Sequence, residues 1–216
     1  MRLIALLCIL SGASLSIAQD HPVLFQDDFE KGFERWQPTD AKAWKIETID
    51  GSKVLNQFKQ SEYKPPFRSP LNFALVKELV LGDFILEAKV KSTAKDGNHR
   101  DMCFFWGYQD PAHYYYVHIS KKADDRAGQA FIVNGKDRAK ISTTFAEGTP
   151  WDDKWHNVKV VRNAKEGAIA VYWDDMKKPI ITAQDTTFAW GQIGVGTFDD
   201  TGLFDDIKIS GVVHKK

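Results

Sequence analysis

The 216-residue chain carries 29 basic and 29 acidic side chains, a formal charge of zero that removes the electrostatic case for nucleic acid or an anionic membrane surface as partner. Its 43% apolar and 27% charged residues are the composition of a globular protein. Only Cys8 and Cys103 are present, so a disulfide-stapled scaffold is excluded.

In chain order, the opening "MRLIALLCILSGASLSIAQD" has one Arg, an apolar run over residues 3–10 and small residues ending in Ser16-Ile17-Ala18. An A-x-A-like site after so short an apolar run reads as a secretory signal peptide over residues 1–18. That reading implies a secreted or periplasmic product with no integral membrane segment after signal cleavage, expected as a monomer. Residues 19–216 then fit one domain, since β-sandwiches reach this size undivided. Cys103 is left as the only cysteine of the cleaved chain and reads as a small buried apolar side chain.

Beyond residue 19, "PVLFQDDF", "AWKIETID" and "KVLNQF" are short strand-like runs. "SEYKPPFRSP" follows, and Pro65, Pro66 and Pro70 lack the amide donors that a central strand needs. It is expected as a stiff extended loop presenting Tyr63, Lys64 and Arg68. "NFALVKELV" is the one stretch read as a helical turn. Ten further runs follow, from "FILEAKVKS" through "MCFFWGYQ", "YYYVHIS" and "QAFIVN" to "LFDDIKIS", with "VYWDDMKKPII" as a hairpin. Period-2 alternation between turn signals, with no βαβ rhythm, predicts an all-β fold of two antiparallel sheets packed face to face.

Three segments carry a resemblance: "LFQDDFEKGFERWQP", "WHNVKVVRNAKEGAIAVYWDDMKKPI" and "IGVGTFDDTGLFDDIKIS". They resemble the opening strand, central hairpin and closing strand pair of the concanavalin A-like lectin/glucanase superfamily, a jelly-roll sandwich that includes laminin-G-like domains. The chain is most similar to exported bacterial domains of the 3-keto-disaccharide hydrolase-like and glycoside hydrolase family 16-like groups. The family 16 signature E-x-D-x-E is absent, because none of Glu30, Glu34, Glu47, Glu62, Glu78, Glu87, Glu147 and Glu166 forms it. In similar sandwiches an Asp from the first strand and one from the last help to hold calcium. The resemblance therefore implies Asp28 and Asp205 as a pair for a structural Ca2+, against a reading of both as capped or solvated carboxylates.

The site reading centres on "HYYYVHISKKADD", residues 113–125. Alternation puts Tyr115, Val117 and Ile119 on one face, and Tyr114, Tyr116, His118 and Ser120 on the other. The first set suits a core. The second is either a ligand-facing aromatic and polar surface or a packed face under a loop. Sugars meet such surfaces by laying C–H faces on rings while polar groups fix the hydroxyls. In "KDGNHRDMCFFWGYQD", a hairpin turn at Gln109-Asp110-Pro111-Ala112 would bring His99, Arg100 and Asp101 near His118 and Lys122. The expected ligand-binding residues are Arg68, Arg100, Tyr114, Tyr116, His118, Lys122 and Asp124, and the catalytic candidates are His99, Asp101 and His118. The leading expectation is an exported carbohydrate-binding jelly roll using a concave sheet. The alternatives are a glycoside-cleaving hydrolase of the same fold, or a structural or adhesion module with no small ligand.

Overall fold

The computed structural model describes residues 21–215, so the signal segment lies outside the described residues. Fifteen strands form it: β1 (Val23–Asp27), β2 (Trp36–Pro38), β3 (Trp44–Ile49), β4 (Ser52–Gln57), β5 (Asn72–Ser92), β6 (Asp101–Asp110), β7 (His113–Ser120), β8 (Gln129–Asn134), β9 (Ala139–Lys140), β10 (Ser142–Phe145), β11 (His156–Asn163), β12 (Ala168–Trp173), β13 (Ile181–Gln184), β14 (Gly191–Thr197) and β15 (Gly202–Val213). The only helix among the described residues is a short 3-10 turn over Ala41–Ala43.

All pairings are antiparallel and fall into two layers. One runs β9-β8-β7-β6-β14 to the first half of β5, with β2 beyond it. The other runs β10-β13-β12-β11 to the second half of β5 and then β15, whose far edge takes β1 and β4, with β3 on β4. β5 belongs to both layers. It changes neighbours near Glu78, an exposed residue held at φ 58°. A side chain with a Cβ adopts that left-handed region only at a cost, so the crossing is a fixed feature of the backbone.

The helical turn expected at "NFALVKELV" is corrected: the segment is the first half of β5. Phe73 and Leu75 are buried on one face and Ala74 and Val76 on the other. A strand covered on both sides shows a continuous apolar run, which period alone does not separate from a helix. "AKISTT" breaks at Ile141 into β9 and β10, and the chain there passes from the edge of one layer to the edge of the other.

The main core fills the space between the layers, with Trp106, Tyr115, Val117, Phe84, Val160, Trp173 and Phe204 among its members. A second apolar cluster lies on the outer face of the β6–β7 layer: Phe73, Leu75, Cys103, Phe105, Tyr114, Tyr116, Phe131 and Val133. The proline-containing segment over residues 58–71 covers it, with Tyr63 and Phe67 packed down. Tyr63 meets Phe73 edge-on at 5.8 Å. Hydrogen bonds tie the cover at both ends. The Ser61 amide donates to Asn72 Oδ1 at 2.7 Å, and the Arg68 amide donates to Asp137 Oδ1 at 2.9 Å.

Candidate functional site

The hairpin register brings the sequence-predicted polar residues to one end of the β6–β7 layer. Asp101 pairs with Ser120 and Cys103 with His118. The Lys121 amide donates to the Arg100 carbonyl and the Lys122 amide to that of Asn98. The loop over residues 198–201, between β14 and β15, closes over this end. The Phe198 amide donates to Asp101 Oδ1 at 3.0 Å, and the Asp101 amide donates to Asp200 Oδ2 at 2.8 Å.

At the bottom lies a buried pair, His118 and Asp101. His118 Nδ1–H donates to the Arg126 carbonyl at 3.1 Å, while Nε2 faces Asp101 Oδ2. With Nδ1 facing a carbonyl, the imidazole is oriented so that its other nitrogen meets the carboxylate. The Phe198 ring stacks on the imidazole at 5.4 Å and 6°. Above them Arg138 lies over Phe198 at 4.2 Å and over Phe131 at 4.7 Å, and donates to the Tyr116 hydroxyl at 2.8 Å.

The rim carries the accessible groups. Burial, reinforced by the negative charge of Asp101, pushes the Asp200 carboxyl up to about 6. The same two causes raise Asp199, which is exposed at the loop tip. Asp124 moves the other way. Partial burial opposes the shift, but the Arg126 amide, His99 and the Ala127 amide outweigh it and lower the carboxyl. His99 Nε2 stands 2.9 Å from Asp124 Oδ2. The Arg100 guanidinium is turned inward, donating to the Ser92 hydroxyl and carbonyl and to Asp153 Oδ1 at 2.8 Å.

Several expected positions are therefore corrected. Tyr114 and Tyr116 have no exposed surface, and His118 retains 4%, so they do not form an open platform. Apolar area on that face is too large to leave to water, and the residue 58–71 segment buries it. Arg100 is a buried structural ion and not a rim group. Arg68 is exposed, and its backbone holds the β8–β9 connection: its carbonyl accepts from the Arg138 amide. Lys122 and Asp124 are exposed at the rim, where the sequence placed them. Arg138, Phe198, Asp199 and Asp200 were not singled out from the sequence. The only signal for them was the acidic pair after Phe198 in "GVGTFDD".

A second histidine cluster lies under the other layer. His156 Nδ1 is 2.8 Å from Asp174 Oδ2 and Nε2 is 3.0 Å from Asp152 Oδ1, so both ring nitrogens face carboxylates and the ring is fixed between them. A cleft of about 560 Å3 runs along the β1–β15 seam past Asp28, Lys31, Arg35, Asp206 and Lys208. Beside it burial, with Asp206 and then Asp28 as negative neighbours, raises Asp205 to about 6. Among the described residues no three His, Cys, Asp or Glu side chains converge as metal ligands, so a cation at Asp28 and Asp205 would need backbone carbonyls and water as well.

No family model and no curated protein matches the chain in sequence. Solved structures match it along nearly its whole length. The carbohydrate-binding module CBM66 from Bacillus subtilis aligns at TM-score 0.56 and 19% identity, over 82% of this chain and 96% of that one. A Bacillus subtilis protein of unknown function with a galectin-like fold aligns at TM-score 0.58 and 13% identity, over 89% and 97%. The shared fold is an all-β antiparallel jelly roll. The metal-free lectin I-B4 from Griffonia simplicifolia shares it at TM-score 0.52 and 11% identity, over 86% and 98%. At such identities the likeness is one of jelly-roll architecture, and function has to be argued from the site.

Proposed function

We propose that the chain is an exported carbohydrate-binding jelly roll, and that it meets sugar at the loop-built end of the β6–β7 layer, not on the aromatic sheet face. One observation carries the reading. Arg138 lies over the half-buried Phe198 and the exposed Asp199 follows it in the chain, the exposed His99–Asp124 pair stands at the same end of the layer, and the His118–Asp101 pair is sealed beneath Phe198. Asp124 is already fixed by two amides, so it accepts a sugar hydroxyl without further ordering. The imidazole is 4% exposed and lies under the Phe198 ring, which argues against its use as a general base. The similarity to a carbohydrate-binding module over 96% of that module's length fits the same reading.

Glycoside cleavage is the second reading, and the Asp200 carboxyl, raised to about 6 beside Asp199, favours it, since a carboxyl that keeps its proton to higher pH can serve as a general acid. Saturation-transfer NMR with cellobiose, laminaribiose and 3-keto glycosides separates the two. Transfer to unchanged sugar is expected, weakened about tenfold or more in Asp124→Asn and Asp199→Asn for the loss of a charged hydrogen bond. New reducing-end signals, lost in Asp200→Asn, would replace binding by hydrolysis. No transfer to any sugar would end both readings.

A further inference from the structure

A cleft of about 420 Å3 opens on the far layer, between edge strand β10 and the turn joining β12 to β13. Its walls follow from the strand pattern. β12 sends Ile169, Val171 and Trp173 into the core, and the chain turns directly after Trp173. Phe145 ends β10 opposite Ile181 and is 48% exposed, although aromatic. Pro179, Asp175 and Lys178 form the turn side of the mouth.

The floor is clamped. Trp173 is 5% exposed, stacks on His156 at 4.4 Å and 28°, and meets Trp151 edge-on at 4.4 Å. His156 is in turn gripped by Asp152 and Asp174. The walls are tied as well: the Ala146 amide donates to the Ile180 carbonyl at 2.8 Å, and the hydroxyls of Thr144 and Thr182 are 2.6 Å apart. Within this fixed frame the Trp173 indole N–H has no acceptor among the described residues, as is true of the buried Trp44 and Trp106 indoles. Buried indole N–H groups ordinarily find one.

We propose that this cleft is a second carbohydrate site that takes one pyranose unit. The proposal rests on the carbohydrate reading above but on a different surface. A pyranose has an apolar C–H face to lay against Phe145 and Pro179, and hydroxyls for the Asp175 carboxylate and the Lys178 ammonium. The volume lies at the small end of ligand sites, about 300–1,000 Å3. A rigid frame binds such a ligand without first ordering side chains. Two contact surfaces on separate layers would let one chain engage two sugars, or two points of a polysaccharide.

The test is two-dimensional 1H–15N NMR of the full chain with cellobiose, laminaribiose and xylobiose as probes. The Trp173 indole signal, assigned by its loss in Trp173→Phe, is expected to shift on addition of at least one sugar. The apparent Kd should rise about tenfold or more in Phe145→Ala, and also in Lys178→Ala, both at surface positions, and should be unchanged in Asp199→Asn. An indole signal that no probe moves overturns the site, as does a Kd unaffected by Phe145→Ala. Sedimentation showing a dimer that Phe145→Ala converts to monomer also overturns it, because a second copy then occupies the cleft along the β10 edge. Shifts confined to residues 198–200 keep the end-of-layer reading and remove this one, and shifts confined to Trp173 do the reverse.

Discussion

The sharpest residue-scale feature is the carboxyl of Asp200. In the fold it sits at about 6, against 3.8 for a free side chain, because it is buried and faces Asp101. Between those values the folded chain binds more protons than the unfolded one, so this group's contribution to stability falls as pH rises from 3.8 to about 6 and is level above. Asp124 and Asp185 are lowered and act in the opposite sense, their contribution being lost as pH falls. Only a comparison isolates Asp200. The stability of Asp200→Asn relative to the parent, followed by urea unfolding, should improve steadily across that window. A constant difference would mean that the carboxyl titrates normally. The loop over residues 198–201 would then not be holding it beside Asp101.

Among the elements, β1 and β15 form the seam where sequence resemblance put a calcium ion. Phe25 pairs with Ile209 and Asp27 with Ile207, and β15 bulges between Asp205 and Lys208 as it pairs with β5. The bulge sets Asp205 and Asp206 side by side, with Asp206 at φ 47°. Asp27 is not free to ligate: it accepts from the Phe29 amide and the Trp36 indole N–H. Asp28 and Asp205 remain, and we propose calcium there: Asp205 is raised by burial and by its negative neighbours Asp206 and Asp28, a cost that a divalent cation would relieve. Adding CaCl2 at neutral pH is expected to raise Tm by a few degrees, reversibly with EDTA and not in Asp28→Asn. Equal melting with and without calcium would leave the seam to the β1–β15 ladder alone. At this scale most strands were legible, because alternation such as that in "HYYYVHIS" is periodic whichever partner a strand finds. The first half of β5 was not, because burial on both faces erased its period.

For the whole molecule, stability rests on two stacked apolar layers and not on covalent links. Cys103 is the one free cysteine among the described residues, fully buried in the outer cluster between β6 and the segment over residues 58–71. Burial, with the charge of Asp101 added, pushes its thiol well above the usual range. Alkylation by iodoacetamide should therefore wait for unfolding, and its rate across a urea series should follow the same midpoint as tryptophan fluorescence. Rapid labelling of the native protein would show that the cover opens by itself, and would put Tyr114 and Tyr116 back in reach of a ligand.

The site was legible in part. The spacing of His99–Asp101 from His118–Lys122 about a four-residue turn implied that they meet, and a hairpin register is local enough for sequence to specify it. By itself the sequence determined the all-β class, the alternation of each strand and that meeting of polar residues, since all three follow from periods and turns along a single stretch of chain. Only the tertiary structure decided what each face meets. The cover over Tyr114 and Tyr116 comes from residues 58–71, the lid on His118 from Phe198, and the guanidinium above both from Arg138. These partners lie far apart in sequence and are brought together by packing, which has no period along the chain to read.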